Sequence, residues 1–312
     1  MVTGCAGFIG SNLVESLLNE KSNVVGVDCF TNYYPISIKK RNIENSLKNK
    51  NFEFKKINLL STNLKEIISD VDFVFHLAAQ PGVRAGWKNF KVYIRNNIEL
   101  TQKLLEACTN SDIKKFIFTS SSSVYGDSPD LPMNEDSLKR PISPYGVTKL
   151  ATEQICYLYH KYYGVPTIIL RYFTVYGPRQ RPDMAINRFV SKMFSGETIS
   201  IFGDGKQTRE FTFISDAIDA TLLAAKSDYN YEIFNIGSGT RISINNLLAL
   251  LEKIIGKKPK VKYVEEEKGE MRDTFADISR AKKLLGWTPK VGMEEGLKRY
   301  IKWYRGEHHG KT

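Results

Sequence analysis

The chain opens on Val2-Thr3-Gly4-Cys5-Ala6-Gly7-Phe8-Ile9-Gly10-Ser11-Asn12-Leu13, a strand fragment that runs into a glycine-rich turn. An amphipathic helix over 11–19 follows. Glycines at 4, 7 and 10 permit a tight turn, close approach of the backbone to a pyrophosphate, and close packing of helix on sheet. The helix N-terminus then faces the anion. The spacing is GxxGxxG, one residue longer than the common dinucleotide fingerprint GxGxxG. A second strand over 23–28 ends on Asp28, 18 residues past Gly10. A carboxylate there accepts hydrogen bonds from both adenosine ribose hydroxyls and repels a 2′-phosphate, which favours NAD over NADP. Only Met1-Val2-Thr3 precede Gly4, fewer than the ~5 residues of an ordinary strand. The first strand is therefore either unusually short or lacks residues upstream.

From residue 1 to about 175 the pattern alternates strand and helix, as a doubly wound parallel sheet of Rossmann type requires. Strands are expected over 52–58, 73–77, 115–120 and 167–172, with helices over 93–108 and 144–163. After the loop Gly177-Pro178-Arg179-Gln180-Arg181-Pro182 the rhythm breaks. The remainder, 176–312, reads as a smaller mixed α/β lobe for a substrate. One strand near 232–237 is expected to return to the first domain, and helices over 243–255 and 279–285. The stretch Glu265-Glu266-Glu267-Lys268-Gly269-Glu270 reads as a surface loop.

With 45 basic and 34 acidic residues the net charge is +11, which raises a nucleic-acid partner. The lysines are scattered in polar, helix-flanking pairs such as Lys39-Lys40 and Lys282-Lys283, and no basic–aromatic module accompanies them. They read as a solvated surface. Neither a long apolar run nor a signal-peptide pattern is present, so no membrane span and a cytoplasmic location are expected. Cys5, Cys29, Cys108 and Cys156 form no CxxC, and His308-His309 have no third ligand nearby, so neither a disulfide framework nor a metal site is indicated.

Chemistry enters with Ser143-Pro144-Tyr145-Gly146-Val147-Thr148-Lys149. A spacing of four on a helix puts the Tyr145 phenol and the Lys149 ammonium on one face. An unperturbed tyrosine titrates near pH ~10. A fixed positive charge beside it favours the phenolate and makes it a base for an alcohol. Ser121, Ser122 and Ser123 stand at the end of a buried strand, where hydroxyls can hydrogen-bond a substrate oxygen and shuttle its proton.

Together with His76-Leu77-Ala78-Ala79-Gln80 and Val124-Tyr125-Gly126, these motifs resemble the extended short-chain dehydrogenase/reductases over essentially the whole chain. Within that family the chain is similar to the NAD-dependent nucleotide-sugar epimerases. The run Arg171-Tyr172-Phe173-Thr174-Val175-Tyr176-Gly177-Pro178, followed by Arg181-Pro182-Asp183-Met184-Ala185, most resembles UDP-glucuronate 4-epimerases. UDP-galactose 4-epimerases usually carry asparagine at the position of Thr174.

The resemblance implies that Tyr145 removes the proton of a sugar 4-hydroxyl while hydride passes from carbon 4 to NAD. The 4-keto sugar then turns and is reduced on its other face. Lys149 would hold the nicotinamide ribose. Beyond Gly4, Gly7, Gly10, Asp28, Tyr145 and Lys149, it implies that Phe8, Ile9, Asn58, Leu59, Leu77, Ala78, Ala79, Asn97 and Tyr172 line the cofactor. Arg84, Thr174, Arg181, Arg209 and Arg272 would bind the UDP-sugar. Arg181 leads for the uronic carboxylate, because a guanidinium fork is bidentate and permanently charged; Arg179 and Arg84 are lesser candidates. Related dehydratases have an Asp-Glu pair where Ser122-Ser123 stand, and decarboxylases a glutamate at Ser123, so those activities are disfavoured. UDP-glucose/UDP-galactose 4-epimerase, UDP-glucuronate decarboxylase and a non-catalytic NAD-binding regulator stay open as alternatives. The family also implies a homodimer, through a four-helix bundle of the helices at 93–108 and 144–163, with Leu100, Leu104, Ile155, Leu158 and Tyr159 as extra apolar positions.

Overall fold

The structure, a computed structural model, describes residues 1–265 and 268–309, with side chains described to Glu307. Seven parallel strands form the central sheet: β1 (Val2–Thr3), β2 (Val24–Val27), β3 (Phe52–Lys55), β4 (Phe73–His76), β5 (Lys115–Ser121), β6 (Thr167–Tyr172) and β7 (Tyr231–Ile236). Their order across the sheet is β7-β6-β5-β4-β1-β2-β3. Every residue of β6 is buried, as a strand covered by helices on both faces demands. The seventh strand pairs with β6 in register, Tyr231 opposite Thr167, so the chain does return to the sheet after residue 175.

β1 has two residues, Val2 opposite both Gly26 of β2 and Phe75 of β4. It is short because the chain turns at once into the glycine loop. Strand order reverses at β1, and a doubly wound sheet opens its crevice at the carboxyl ends of the strands flanking that point. Gly4 follows β1 there, and Leu77-Ala78-Ala79 follow β4.

One core covers a face of the sheet and continues into the second half of the chain, joining Leu13, Phe75 and Ile168 to Tyr176, Phe189, Leu247 and Trp287. The other face is covered by Leu64, Ile68, Leu100, Leu104 and Cys156 on Phe116, Phe118 and Ile169. Leu100 and Leu104 are thus spent inside the chain's own core and are not spare apolar surface. Ile155 and Tyr159 pack partly buried against that core, whereas Leu158 is exposed as expected, together with Phe90, Ile94, Val147, Tyr157, Tyr162 and Tyr163.

The helical run before Cys108 begins at Phe90 and contains a π-helical stretch, Ile94–Glu99, which periodicity alone does not reveal. Beyond the main sheet, three small pairs shape the second half: Val175–Tyr176 with Thr212–Phe213, Thr208–Arg209 with Ile242–Ser243, and Thr198–Phe202 with Lys260–Val264. Glu266 and Glu267 lie outside the described residues, as do the side chains of His308 and His309. Among the described residues no helix is long and apolar enough to cross a membrane.

Candidate active site

The helix Pro144–Tyr163 starts where its sequence directs. Ser143 caps it, accepting the Gly146 N–H on its hydroxyl at 3.1 Å, and Pro144 fills the first turn. Gly146 is packed so tightly that a Cβ there would stand 2.4 Å from the Ser123 carbonyl oxygen. This contact brings the first helical turn, with Tyr145, against the serine turn after β5. Ser121 caps that turn through the Ser123 N–H, and the Ser121 and Ser123 hydroxyls are 3.1 Å apart. Ser122 and Ser123 are buried.

Desolvation pushes the Tyr145 phenol above the ordinary tyrosine range; the Arg181 charge and then a hydrogen bond with Ser121 pull it back. Lys149 is buried, donates to the Thr119 carbonyl at 2.7 Å, and lies 4.7 Å from the Phe118 ring centroid and 5.9 Å from that of Tyr145. Burial brings its ammonium down to about 8, against the smaller opposing influence of Cys156 and Glu153. Two cations thus stand near Tyr145: Arg181, whose charge favours the phenolate, and Lys149, one helical turn on.

Around this centre lies a cleft of about 700 Å³ lined by Phe8, Ile9, Tyr33, Arg84, Ser121, Ser122, Ser123, Tyr145, Tyr172, Thr174, Arg181, Asp183, Arg188, Phe202, Arg209 and Glu270, among others. Arg181 is clamped by Asp183, Nε to Oδ1 at 2.9 Å and Nη2 to Oδ2 at 3.1 Å. Glu270 joins two further arginines: Arg84 Nε donates to it at 2.9 Å, and Arg209 Nη2 lies 3.4 Å away. Arg84 also stacks 4.2 Å over the Phe202 ring. The run 265–270 is expected from sequence as a surface loop, with Gly269-Glu270-Met271-Arg272 resembling the family's nucleotide-sugar segments; its Glu270 supplies the carboxylate that arranges two cleft arginines. Arg272 does not line the cleft; its side chain is more than half exposed and reaches Asp204 at 3.8 Å. Arg179 is turned to Glu15, which accepts from it at 3.0 and 2.9 Å.

The glycine loop fits a dinucleotide. A Cβ on Gly10 would stand 2.2 Å from the Gly4 carbonyl oxygen, so only glycine lets helix Phe8–Asn19 rise this close to the turn. Gly7, the helix N-cap, has no side chain to cap the first-turn amides, which a helix leaves without internal partners. Asp28 shapes the same loop, accepting Ala6 N–H at 3.2 Å and Phe30 N–H at 2.8 Å. The Thr3 hydroxyl accepts from Leu77 and Ala78, each at 3.1 Å, tying the end of β4 to β1, with Ala79 next in the chain.

Asn97, in the π-helical stretch, is buried and bonded to Gln80 N–H at 2.7 Å and Thr148 at 2.9 Å. It fastens the loop after β4 to the helix carrying Tyr145. Asn58 is exposed and accepts the Leu60 N–H at 3.0 Å, while Leu59 packs into the core. Tyr172 ends β6 and shares a 2.5 Å hydrogen bond with Thr221. Beneath the site, Glu153 holds Arg171 bidentately at 2.9 and 2.6 Å and accepts from Ser120 at 2.5 Å.

Sequence reasoning misses Tyr33, Arg188 and the roles of Asp183 and Glu270. The aromatic run after Asp28 is the signal for Tyr33. Only the fold shows that it closes on Asp183, 150 positions on.

The model of the NAD dependent epimerase/dehydratase family matches residues 1–237. The uncharacterized UDP-glucose epimerase YtcB of Bacillus subtilis (strain 168) is 45% identical, with 98% of this chain and 99% of that protein aligned. The UDP-glucuronate 4-epimerase of Thermodesulfobacterium geofontis (strain OPF15) is 43% identical over 97% of this chain and 95% of its own. The crystal structure of UDP-glucuronic acid 4-epimerase from Bacillus cereus, in complex with UDP-glucuronic acid and NAD, superposes with a TM-score of 0.95 at 45% identity, covering 98% and 99% of the two chains. With its glycine loop, its Tyr145–Lys149 helix and this breadth of similarity, the chain belongs to the NAD dependent epimerase/dehydratase family.

Proposed function

We propose that the protein is an NAD-dependent UDP-glucuronate 4-epimerase, converting UDP-glucuronate to UDP-galacturonate. The observation that carries this reading is Arg181, a guanidinium in the same cleft as Tyr145 and in electrostatic contact with it. The named activities of the Thermodesulfobacterium and Bacillus cereus relatives support it.

NAD bound on the glycine loop, Asp28 and the ends of β1 and β4 supplies a reversible two-electron acceptor for carbon 4. Tyr145 Oη takes the 4-hydroxyl proton in one half of the cycle and returns it in the other. Ser121, hydrogen-bonded to that phenol, and Ser122 and Ser123 beside it hold the 4-oxygen. Arg84 and Arg209, arranged by Glu270, take the diphosphate. Arg181 takes the sugar carboxylate. A 4-keto uronic acid is a β-keto acid and loses carbon dioxide when its carboxylate bond stands perpendicular to the ketone plane. A two-point guanidinium grip opposes that rotation.

A second reading, UDP-glucose/UDP-galactose 4-epimerase, is favoured by one feature: Asp183 already satisfies Arg181, so an uncharged sugar does not strand a cation. Incubation with UDP-glucuronate and, separately, UDP-glucose, followed by product analysis, tests both. Dominant UDP-galacturonate formation supports the first reading, and turnover of UDP-glucose alone supports the second.

We also propose that residues 1–175 with β7 form the NAD-binding domain and that the rest of 176–312 forms the sugar-nucleotide lobe. The chain acts in the cytoplasm as a homodimer. The exposed Ile94, Leu158 and Tyr162 on the two long helices suit an isologous four-helix contact. Sedimentation showing only a 35.5 kDa species at micromolar concentration contradicts the dimer.

A further inference from the structure

The reaction described above leaves Asp183, a charged group in the cleft, without a task. Asp183 occupies the Nε–Nη2 edge of Arg181 at 2.9 and 3.1 Å, a two-point grip of the kind a carboxylate makes on a guanidinium. Its Oδ2 also accepts the Tyr33 hydroxyl at 3.3 Å. Tyr33 comes from the loop after β2, and its ring centroid is 6.0 Å from the Arg181 guanidinium carbon. Tyr33, Arg181 and Asp183 all line the cleft that holds Tyr145. The guanidinium assigned to the sugar is therefore already paired from within the chain.

We propose that Asp183 is a specificity-determining residue, an internal carboxylate that competes with the uronic carboxylate for Arg181. This rests on the reading of Arg181 as the sugar's partner. When UDP-glucuronate binds, its carboxylate must displace Asp183 or share the fork with it, and two carboxylates on one guanidinium repel. When an uncharged sugar binds, the Asp183–Arg181 pair stays intact, and the sugar covers a neutralised pair instead of a lone cation. Asp183 thus lowers selectivity for the acid and keeps a hydroxymethyl sugar admissible. Specificity is a difference between two affinities, and this residue moves the two in opposite directions.

Asparagine at 183 keeps the size and removes the charge. The pair is partly solvent-exposed, Asp183 at 37%, and such pairs contribute little to folding. The test is calorimetric binding of UDP-glucuronate, UDP-glucose and UDP to the NAD-loaded wild type and Asp183→Asn, with Arg181→Ala alongside. Removing a competitor for a charge-assisted pair is expected to tighten UDP-glucuronate about tenfold and to weaken UDP-glucose about threefold. UDP, which has no sugar, reports whether the diphosphate end is intact.

If both sugars shift in the same direction by similar factors while UDP holds, Asp183 is only a loop fastener and the proposal is wrong. Should UDP binding be lost as well, Tyr33→Phe decides. It loosens Asp183 without removing its charge, and it is expected to move the ratio of the two sugars the same way by about twofold; no movement overturns the proposal. A selective loss of UDP-glucuronate binding in Arg181→Ala, with no opposite movement in Asp183→Asn, leaves the carboxylate reading standing and sinks this inference alone. Equal loss on both sugars in Arg181→Ala takes down the reading beneath it.

Discussion

The Lys149 ammonium donates to the Thr119 carbonyl at 2.7 Å, pinning the helix that carries Tyr145 to the end of β5. The Tyr145–Lys149 pair is therefore built onto the carboxyl end of an interior strand, and the phenol shares its cleft with the serine turn and Arg181. In this arrangement desolvation raises the Tyr145 phenol, opposed by Arg181 and then by Ser121.

Tyr145→Phe keeps the ring and removes only the proton acceptor. NAD binding should persist while turnover falls by about 10²-fold or more, the usual cost of losing a general base. Near-native turnover in that variant, measured by product formation, shows that another group takes the proton.

Asp28 accepts one backbone amide from the glycine loop, Ala6 at 3.2 Å, and one from the loop after β2, Phe30 at 2.8 Å. Asp28→Ser loses these bonds as well as the ribose contacts, so NAD should weaken about tenfold to a hundredfold. NADP, freed from repulsion by the carboxylate, should weaken much less or improve. Parallel titrations with the two cofactors check this, and an equal loss for both counts against the assignment.

His76 sits between Thr3 at 2.8 Å and Thr101 at 2.9 Å in the sheet interior. Burial, and then the Lys149 charge, bring its ring from 6.5 down to about 3. The folded state therefore binds fewer protons than the unfolded chain between those values. The corresponding stability is complete above pH 6.5 and is lost as pH falls toward 3. At about 1.36 kcal/mol per pH unit this group accounts for about 3–5 kcal/mol of acid destabilisation. Urea unfolding at pH 7, 5 and 4 should show a flatter pH dependence for His76→Asn; identical slopes for variant and wild type rule His76 out as the cause.

Much of this architecture is legible in the residues. Thr167–Tyr172 and Pro144–Tyr163 announce themselves, one as an apolar β-rich run, the other through Ser143-Pro144 at its start and Gly164 at its end. The glycine loop, Asp28, Tyr145 and the serines are local signals, because each needs only neighbours in sequence to be meaningful. What sequence does not disclose is pairing at a distance. Leu100 and Leu104 read as spare apolar positions but fill the sheet-face core, since helix periodicity alone does not say which stripe is covered. Asn97 is matched by type, yet its tie to Gln80 and Thr148 depends on a π-helical stretch. Glu270 lies in an acidic run typical of surface, and only the closing of the second lobe brings it onto Arg84 and Arg209.

Arg181→Ala, assayed on UDP-glucuronate and UDP-glucose with mass spectrometry of the products, tests the central claim most directly. A charge-assisted hydrogen bond is worth about 1.5–3 kcal/mol, so kcat/KM on UDP-glucuronate should fall about tenfold to a hundredfold. UDP-glucose turnover should change much less, and a decarboxylated UDP-4-keto-pentose should appear as the carboxylate becomes free to rotate. Equal losses on both sugars with no decarboxylated product would contradict the account, because Arg181 would then serve the diphosphate or the fold.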